Sequence, residues 1–371
     1  MKIATMVRGY IPAPRPKDMV YAPIDLAVAI SENLTKWGHS VTYFGPNGTS
    51  SSCAKVETLN LRTLVHNQEE FKAIIENTEL LMHGITSGWD NFLARDMFER
   101  ARKGEFDLLH FHHPEAALPY IHLFPEVPVV YTLHDPMTPM FRELLEMHQA
   151  PNQFFISISH NQRLPAPDLQ YVDTVYNGVN TELFQFSKEE HDDYLLVAGR
   201  INPDKGIKEA IQVAQATDSR LLIIGPVYSD QQEYFDQQIK PHLNEKILYL
   251  GFVEQTNLVR YFQKARAFLM PIQWEEPFGL TMAEAMACGT PVIALNRGSA
   301  SEVIVNKKTG YIVNSVAEMI ETVHKVKHIK AENCRKHIED NFSFDKMARG
   351  YEAAFEKVIT LCQQKNCTKT A

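Results

Sequence analysis

No apolar run in this sequence approaches the roughly 20 residues that a membrane-spanning helix needs, which argues against an integral span. Cysteine is scarce. Cys53, Cys288, Cys334, Cys362 and Cys367 are odd in number and lack the spacing of a disulfide framework, so free thiols in a reducing cytoplasm are expected. Met1-Lys2-Ile3-Ala4 leads straight into a strand-like segment, without the pattern of a signal peptide. The Asn-x-Ser/Thr sequons at Asn33, Asn47, Asn341 and Asn366 are accordingly read as chance. A basic surplus is missing too. Against 45 Asp/Glu stand 37 Lys/Arg, a net charge of −8, and residues 1–180 hold 14 Lys/Arg against 20 Asp/Glu, a net of −6. Nucleic acid is therefore not an expected partner, and no basic cluster in that half reads as a dock for anionic lipid.

Several chemical signatures are absent as well. There is no Asp-x-Asp, the usual carboxylate clamp for a metal–diphosphate. The glycine fingerprint of dinucleotide oxidoreductases, the phosphate loop of nucleotide triphosphatases and the Gly-x-Ser-x-Gly elbow of hydrolases are all missing. A bound diphosphate would have to be met by cations and helix N–H groups, and no metal or cofactor is expected.

What is present is an ordinary globular composition, 44% hydrophobic and 22% charged, over 371 residues, a length that favours two domains. Short apolar segments alternate with helical patterns, the signature of α/β layers. Strands are predicted at Lys2–Val7, Ser40–Phe44, Leu108–Phe111, Val129–Leu133, Phe154–Ile158 and Tyr171–Val175. Pro23 suits the first position of a helix that runs to Trp37 and stops at Gly38. Residues 45–65 read as loop with at most one short strand. Near Asn177-Gly178-Val179-Asn180 the pattern restarts. Strands are then predicted at Tyr194–Ala198, Arg220–Ile224, Ile247–Leu250, Ala267–Met270, Pro291–Ala294 and Tyr311–Val313. Helices are predicted at Lys208–Gln215, Gln231–Leu243, Thr256–Ala265, Thr281–Ala287 and Val316–Val326. The expected fold is α/β, two Rossmann-like parallel-sheet domains facing across a cleft. Their expected bounds are 1–178 and 179–344, with a helix in 345–371 (near Asp345–Leu361) crossing back to the first domain and a frayed polar tail from Gln363.

The densest stretch is Glu275-Glu276-Pro277-Phe278-Gly279-Leu280-Thr281-Met282-Ala283-Glu284, closed by Gly289 and Pro291. Two acids, Glu276 and Glu284, flank a loop that runs into a helix of small residues. A helix N-terminus offers free N–H groups and partial positive charge, a seat for a diphosphate. Glu284 lies among alanines, where an acid needs a polar partner such as a ribose diol. A lone pair of acids at this spacing would more simply be surface charge. Gly199-Arg200-Ile201-Asn202-Pro203-Asp204-Lys205-Gly206 follows an apolar strand, and its two cations suit the same diphosphate, although alone it is as compatible with a solvated turn. His134 ends a buried strand in Thr132-Leu133-His134-Asp135-Pro136, as a catalytic group or as a structural cap. His110, His112 and His113 cluster at the end of the preceding strand. Without matching Cys or acids they read as polar lining of the cleft rather than a metal site.

Together these residues resemble the family-4 (GT4) glycosyltransferases, which are retaining enzymes of the GT-B fold. The carriers are Val197-Ala198-Gly199-Arg200, Pro203-Asp204-Lys205-Gly206, Leu250-Gly251-Phe252-Val253 and the stretch from Glu275 to Val292. Weaker echoes are Gly38-His39-Ser40-Val41-Thr42, Thr132-Leu133-His134 and Asn177-Gly178-Val179. Trp274-Glu275-Glu276-Pro277, Gly225-Pro226-Val227 and Arg297-Gly298-Ser299 are similar to the branch that includes a glycosyltransferase of avilamycin biosynthesis. The resemblance implies that Arg200 and Lys205 hold the donor diphosphate, assisted by the amides of Gly279, Leu280 and Thr281. It implies Glu284 on the ribose, the backbone around Val253 on the base, and Glu276 and His134 at the donor sugar, with Gly199 and Phe278 in the same donor-binding set. The implied activity is metal-independent transfer from a nucleoside diphosphate sugar to a glycan, lipid-linked or small-molecule acceptor. A nucleotide-sugar epimerase, a phosphorylase or a non-catalytic sugar-nucleotide binder would share the fold. One departure stands out. Where family members have Gly-Gly before the first helix, this chain has Ala22-Pro23, which lack glycine's backbone freedom and, at Pro23, the N–H.

Overall fold

The computed structural model describes residues 1–369 apart from Cys53 and Glu190. The chain forms two compact units, Met1–Tyr176 with the stretch from Phe344 onward, and Asn177–Ser343. The first unit is built on a seven-stranded sheet. Its strands are β1 (Lys2–Met6), β2 (Ser40–Phe44), β3 (Lys55–Glu57), β4 (Leu108–Phe111), β5 (Val129–Leu133), β6 (Gln153–Ser157) and β7 (Tyr171–Thr174). They lie in the order β3-β2-β1-β4-β5-β6-β7 and every pairing is parallel. β4, β5 and β6 are buried along their whole length, which explains their unbroken apolar character.

Helix α1 (Ala22–Lys36) starts one residue before Pro23 and gives way at Gly38, whose φ of 92° suits glycine. The helices α2 (Gln68–Glu76) and α3 (Thr78–Met82) were not evident in the sequence pattern. Each is capped by an asparagine, Asn67 or Asn77, that accepts a backbone N–H. α4 (Ile85–Arg102) carries the buried Asp90, and α5 (Pro139–Met147) follows β5.

The second unit holds six parallel strands, β8 (Tyr194–Ala198), β9 (Arg220–Ile224), β10 (Ile247–Tyr249), β11 (Ala267–Met270), β12 (Val292–Leu295) and β13 (Gly310–Val313). Their order is β10-β9-β8-β11-β12-β13. α6 (Ile207–Ala216) follows β8. The helix predicted over Gln231–Leu243 is broken instead. Only α7 (Gln232–Tyr234) is α-helical there, followed by a π turn over Phe235–Ile239 and a 3-10 turn over Lys240–His242. Pro241 supplies no N–H to continue the ladder. Then come α8 (Gln255–Lys264), α9 (Leu280–Ala287), α10 (Ala300–Val303), α11 (Val316–Thr322) and α12 (Ala331–Asn341). The predicted Val316–Val326 helix tightens to 3-10 from Val323. Arg335 of α12 donates to the carbonyls of Thr181, Phe184 and Ala287, tying the unit's first residues to its last helix.

The last helix, α13 (Phe344–Lys369), belongs to the first unit and packs on α1. Tyr351 accepts from Thr132, Lys357 donates to the Val172 carbonyl, and Glu352 meets His39 at 2.7 Å. The expected frayed tail is thus helical to Lys369, and its last two residues lie outside the described ones. Among the described residues Cys288 and Cys334 are buried free thiols; Cys53 and the side chain of Cys367 lie outside that set.

Candidate active site

In an open parallel sheet, ligands bind beyond the carboxyl ends of the two strands where the order reverses. In the second unit those strands are β8 and β11. β8 leads into Gly199 and Arg200, and β11 leads into the loop that carries Glu276. Both expected phosphate-site segments therefore leave the sheet at its switch point.

The β8 loop is fixed by its own turn chemistry. The Asn202 side chain accepts the Lys205 N–H and caps the 3-10 turn Pro203–Lys205. Gly206 follows with φ of 67°, and a Cβ there would sit 1.8 Å from the Pro271 carbonyl oxygen. This close approach seats the turn against the exit of β11, and Gln273 donates its N–H to the Asp204 carbonyl at 2.7 Å. Lys205 then points at Glu276: its Nζ donates to Oε2 at 2.5 Å, with the two side chains 19% and 12% exposed. The same ammonium lies 5.1 Å from the centre of the Trp274 ring. Arg200 is exposed and has no hydrogen-bond or ion-pair partner among the described residues.

Glu276 is held from behind by Arg297-Gly298-Ser299. Ser299 donates its N–H to the Glu276 carbonyl and its hydroxyl to the Phe278 carbonyl, at 3.0 and 2.7 Å. Gly298 donates to the Glu275 carboxylate at 2.7 Å, and Arg297 to the Gln273 carbonyl at 2.8 Å. Gly298 has φ of 56°, and a Cβ there would come within 2.4 Å of the Glu276 backbone. The Phe278 ring is buried, its centroid 5.8 Å from that of Phe342, and anchors the loop in the core.

α9 starts after Gly279, whose φ is 76°, and no side chain caps it, so its first N–H groups at Leu280 and Thr281 are left for another acceptor. Glu284 is half-buried one turn along, with its carboxylate 3.5 Å from the Gln255 amide at the start of α8. Gln255, which the sequence reading missed, stands two residues after the half-buried Val253. Val253, Gln255, Glu284 and the uncapped start of α9 thus all belong to the second unit.

In the first unit the order reverses between β1 and β4. His134 follows β5, half-buried, and burial pushes its imidazole down to about 3, so it is neutral at pH 7. Its Nε2 lies 2.8 Å from Nδ1 of His112. The other histidines are buried and do not line an open surface, contrary to expectation. His110 is fixed between hydroxyls, Nδ1 to Thr5 at 3.2 Å and Nε2 to Thr132 at 2.8 Å. His113 accepts at Nδ1 from Arg8 at 2.8 Å and meets the Tyr21 hydroxyl through Nε2 at 2.5 Å. Arg8 also pairs with the buried Asp90 at 3.0 Å. Burial pushes the Asp90 carboxyl up, against the pull of Arg8 and the Gly9 N–H.

This Arg8–Asp90–His113–Tyr21 network sits beside the start of α1, where Ala22-Pro23 replaces the expected glycines. Only the apolar run that ends at Arg8 hinted at it in the sequence. Among the described residues no group of three or more His, Cys, Asp or Glu is placed to hold a metal.

Comparison with known proteins gives two family-model matches. "Glycosyltransferase Family 4" matches residues 26–183, and "Glycosyl transferases group 1" matches residues 179–342. Among curated proteins, N-acetyl-alpha-D-glucosaminyl L-malate synthase of Bacillus anthracis is 26% identical over 314 residues, covering 73% of this chain and 80% of that protein. Among solved structures, AviGT4, a glycosyltransferase involved in avilamycin A biosynthesis, superposes with a TM-score of 0.66 at 18% identity, over 97% of this chain and 98% of that one. Anabaena Alr3699/HepE in complex with UDP gives 0.67 at 16% identity, over 96% and 100%. The two parallel-sheet units are thus those of the GT-B fold.

Proposed function

We propose, for a chain that belongs to the family-4 glycosyltransferases and is a transferase, that it moves a sugar from a nucleoside diphosphate sugar to an acceptor hydroxyl. The transfer retains the anomeric configuration and needs no metal. The observation that carries this reading is the meeting of Lys205 and Glu276 beside an unpartnered Arg200 and the uncapped start of α9.

Breaking the glycosyl–phosphate bond builds negative charge on the leaving diphosphate. Arg200, Lys205 and the amides of Gly279, Leu280 and Thr281 are preplaced to stabilise it, with no Asp-x-Asp to recruit a metal. Without donor, Lys205 and Glu276 neutralise each other. A diphosphate competes for the ammonium, and Glu276 becomes available to the donor sugar at the reacting centre. Glu284 takes the ribose hydroxyls, and the backbone around Val253 meets the base. His134 contributes a neutral imidazole to the sugar hydroxyls. The UDP complex of the Anabaena protein supports a nucleoside diphosphate as the ligand class. The acceptor is a glycan, a lipid-linked saccharide or a small molecule.

A non-catalytic sugar-nucleotide binder is the second reading, favoured by the Arg8–Asp90–His113–Tyr21 network in place of a glycine pair. Incubation with UDP-, GDP- and ADP-sugars in EDTA, followed by phosphorus and proton NMR, separates the two. The transferase reading expects slow hydrolysis of one donor, first to the retained anomer, and loss of that hydrolysis in Glu276→Ala. Binding without consumption of any donor would favour the binder, and strict dependence on added metal would overturn the charge argument.

A further inference from the structure

The His112–His134 contact has a direction that the surrounding hydrogen bonds decide. The two imidazoles are nearly coplanar, 10° apart, with centroids at 5.1 Å and nitrogens at 2.8 Å. That separation is the N···N distance plus the two ring half-widths, so the rings meet edge to edge with one proton between them. His112 Nε2 is buried without a partner among the described residues. Its neighbours are spoken for: both ring nitrogens of His110 face threonine hydroxyls, and those of His113 face Arg8 and Tyr21.

Two tautomer pairs are possible. If His134 donated from Nε2, neutral His112 would carry its proton on Nε2 and bury an N–H without an acceptor. If His112 donates from Nδ1, its orphaned Nε2 is only a lone pair. Orphaned buried N–H groups are rarer in folded proteins than under-satisfied acceptors. We infer that His112 is a positioning residue that fixes His134 as the Nδ1–H tautomer. His134 Nδ1 has no partner among the described residues. The ring therefore offers a hydrogen-bond donor, not a base. On the reading given above, the ligand atom that meets it is an acceptor, a hydroxyl or ring oxygen of the donor sugar.

The test is long-range proton–nitrogen NMR on the 15N-histidine-labelled full chain, with His134 assigned by its absence in His134→Ala. The expected spectrum has a pyrrole-type Nδ1 and a pyridine-type Nε2 on His134. In His112→Phe that preference should be lost and donor turnover should fall about tenfold, the worth of one hydrogen bond. His112→Asn, whose amide also donates, should restore both. A pyrrole-type Nε2 on His134 in the wild type overturns the inference, and this holds even if His112→Phe does not fold. An unchanged His134 tautomer in folded His112→Phe overturns it too. Unchanged donor hydrolysis in His134→Ala, with the tautomer as assigned, would instead remove His134 from the sugar and leave its pairing with His112 intact.

Discussion

At the scale of single residues, Lys205 and Glu276 are each other's counterion, and on the proposed function their variants should have opposite signatures. Lys205→Ala is expected to weaken nucleoside diphosphate binding by about 1.5–3 kcal/mol, the worth of a hydrogen bond to a charged group. Glu276→Ala is expected to abolish transfer while binding the diphosphate at least as tightly as wild type, because the ammonium has lost its competitor. Calorimetry on Glu276→Ala checks this; binding ten times weaker would mean that Glu276 organises the phosphate seat. Gly298 acts through its backbone. A Cβ at φ of 56°, within 2.4 Å of the Glu276 backbone, must push that loop. Gly298→Ala should therefore lower turnover with nucleotide affinity kept, and a matching fall in both would place the damage elsewhere.

At the scale of elements, the site depends on how closely the β8 turn docks on the end of β11. Gly206→Ala combines a left-handed φ with a clash against the Pro271 carbonyl, and should cost about 3 kcal/mol in denaturant unfolding. A loss under about 1 kcal/mol would mean that this contact is looser than described. The elements that carry the proposed donor site were legible because their signals are local. An apolar strand, a Pro/Asn-bounded turn, a Gly before a helix and a Gly-Pro after it lie next to each other in sequence, and β8, β11 and α9 formed where those signals stood. Pairings between distant residues were not legible. Arg8 and Asp90 are 82 positions apart, and Gln255 and Glu284 are 29 apart. No periodicity encodes such meetings. The Gln231–Leu243 segment shows a different limit. Its helical pattern is real and buries Phe235 and Ile239, yet Pro241 and the π turn before it change the hydrogen-bond ladder.

For the whole molecule, the four imidazoles of the first unit couple stability to pH. Burial holds His110, His112, His113 and His134 below the ordinary histidine range, to about 3 for His110 and His134. The folded state keeps them neutral, while the unfolded chain takes up protons below about pH 6.5. Stability should be flat above that pH and fall as pH drops toward the folded values. Each histidine that stays neutral contributes up to about 1.4 kcal/mol per pH unit. Urea unfolding between pH 7.5 and 5 measures this, and a flat profile would show that the imidazoles are charged or exposed in the folded protein.

The second sheet places the loops that carry Arg200, Lys205 and Glu276 after β8 and β11, the strand pair where its order reverses. That pair carries the proposed diphosphate seat, made of cations and helix amides. Calorimetric titration of UDP, GDP and ADP into wild type and Lys205→Ala, all in EDTA, tests it most directly. At least one nucleotide should bind the wild type without metal and lose about 1.5–3 kcal/mol of affinity in the variant. Binding that requires magnesium, or that is the same in both proteins, would contradict it.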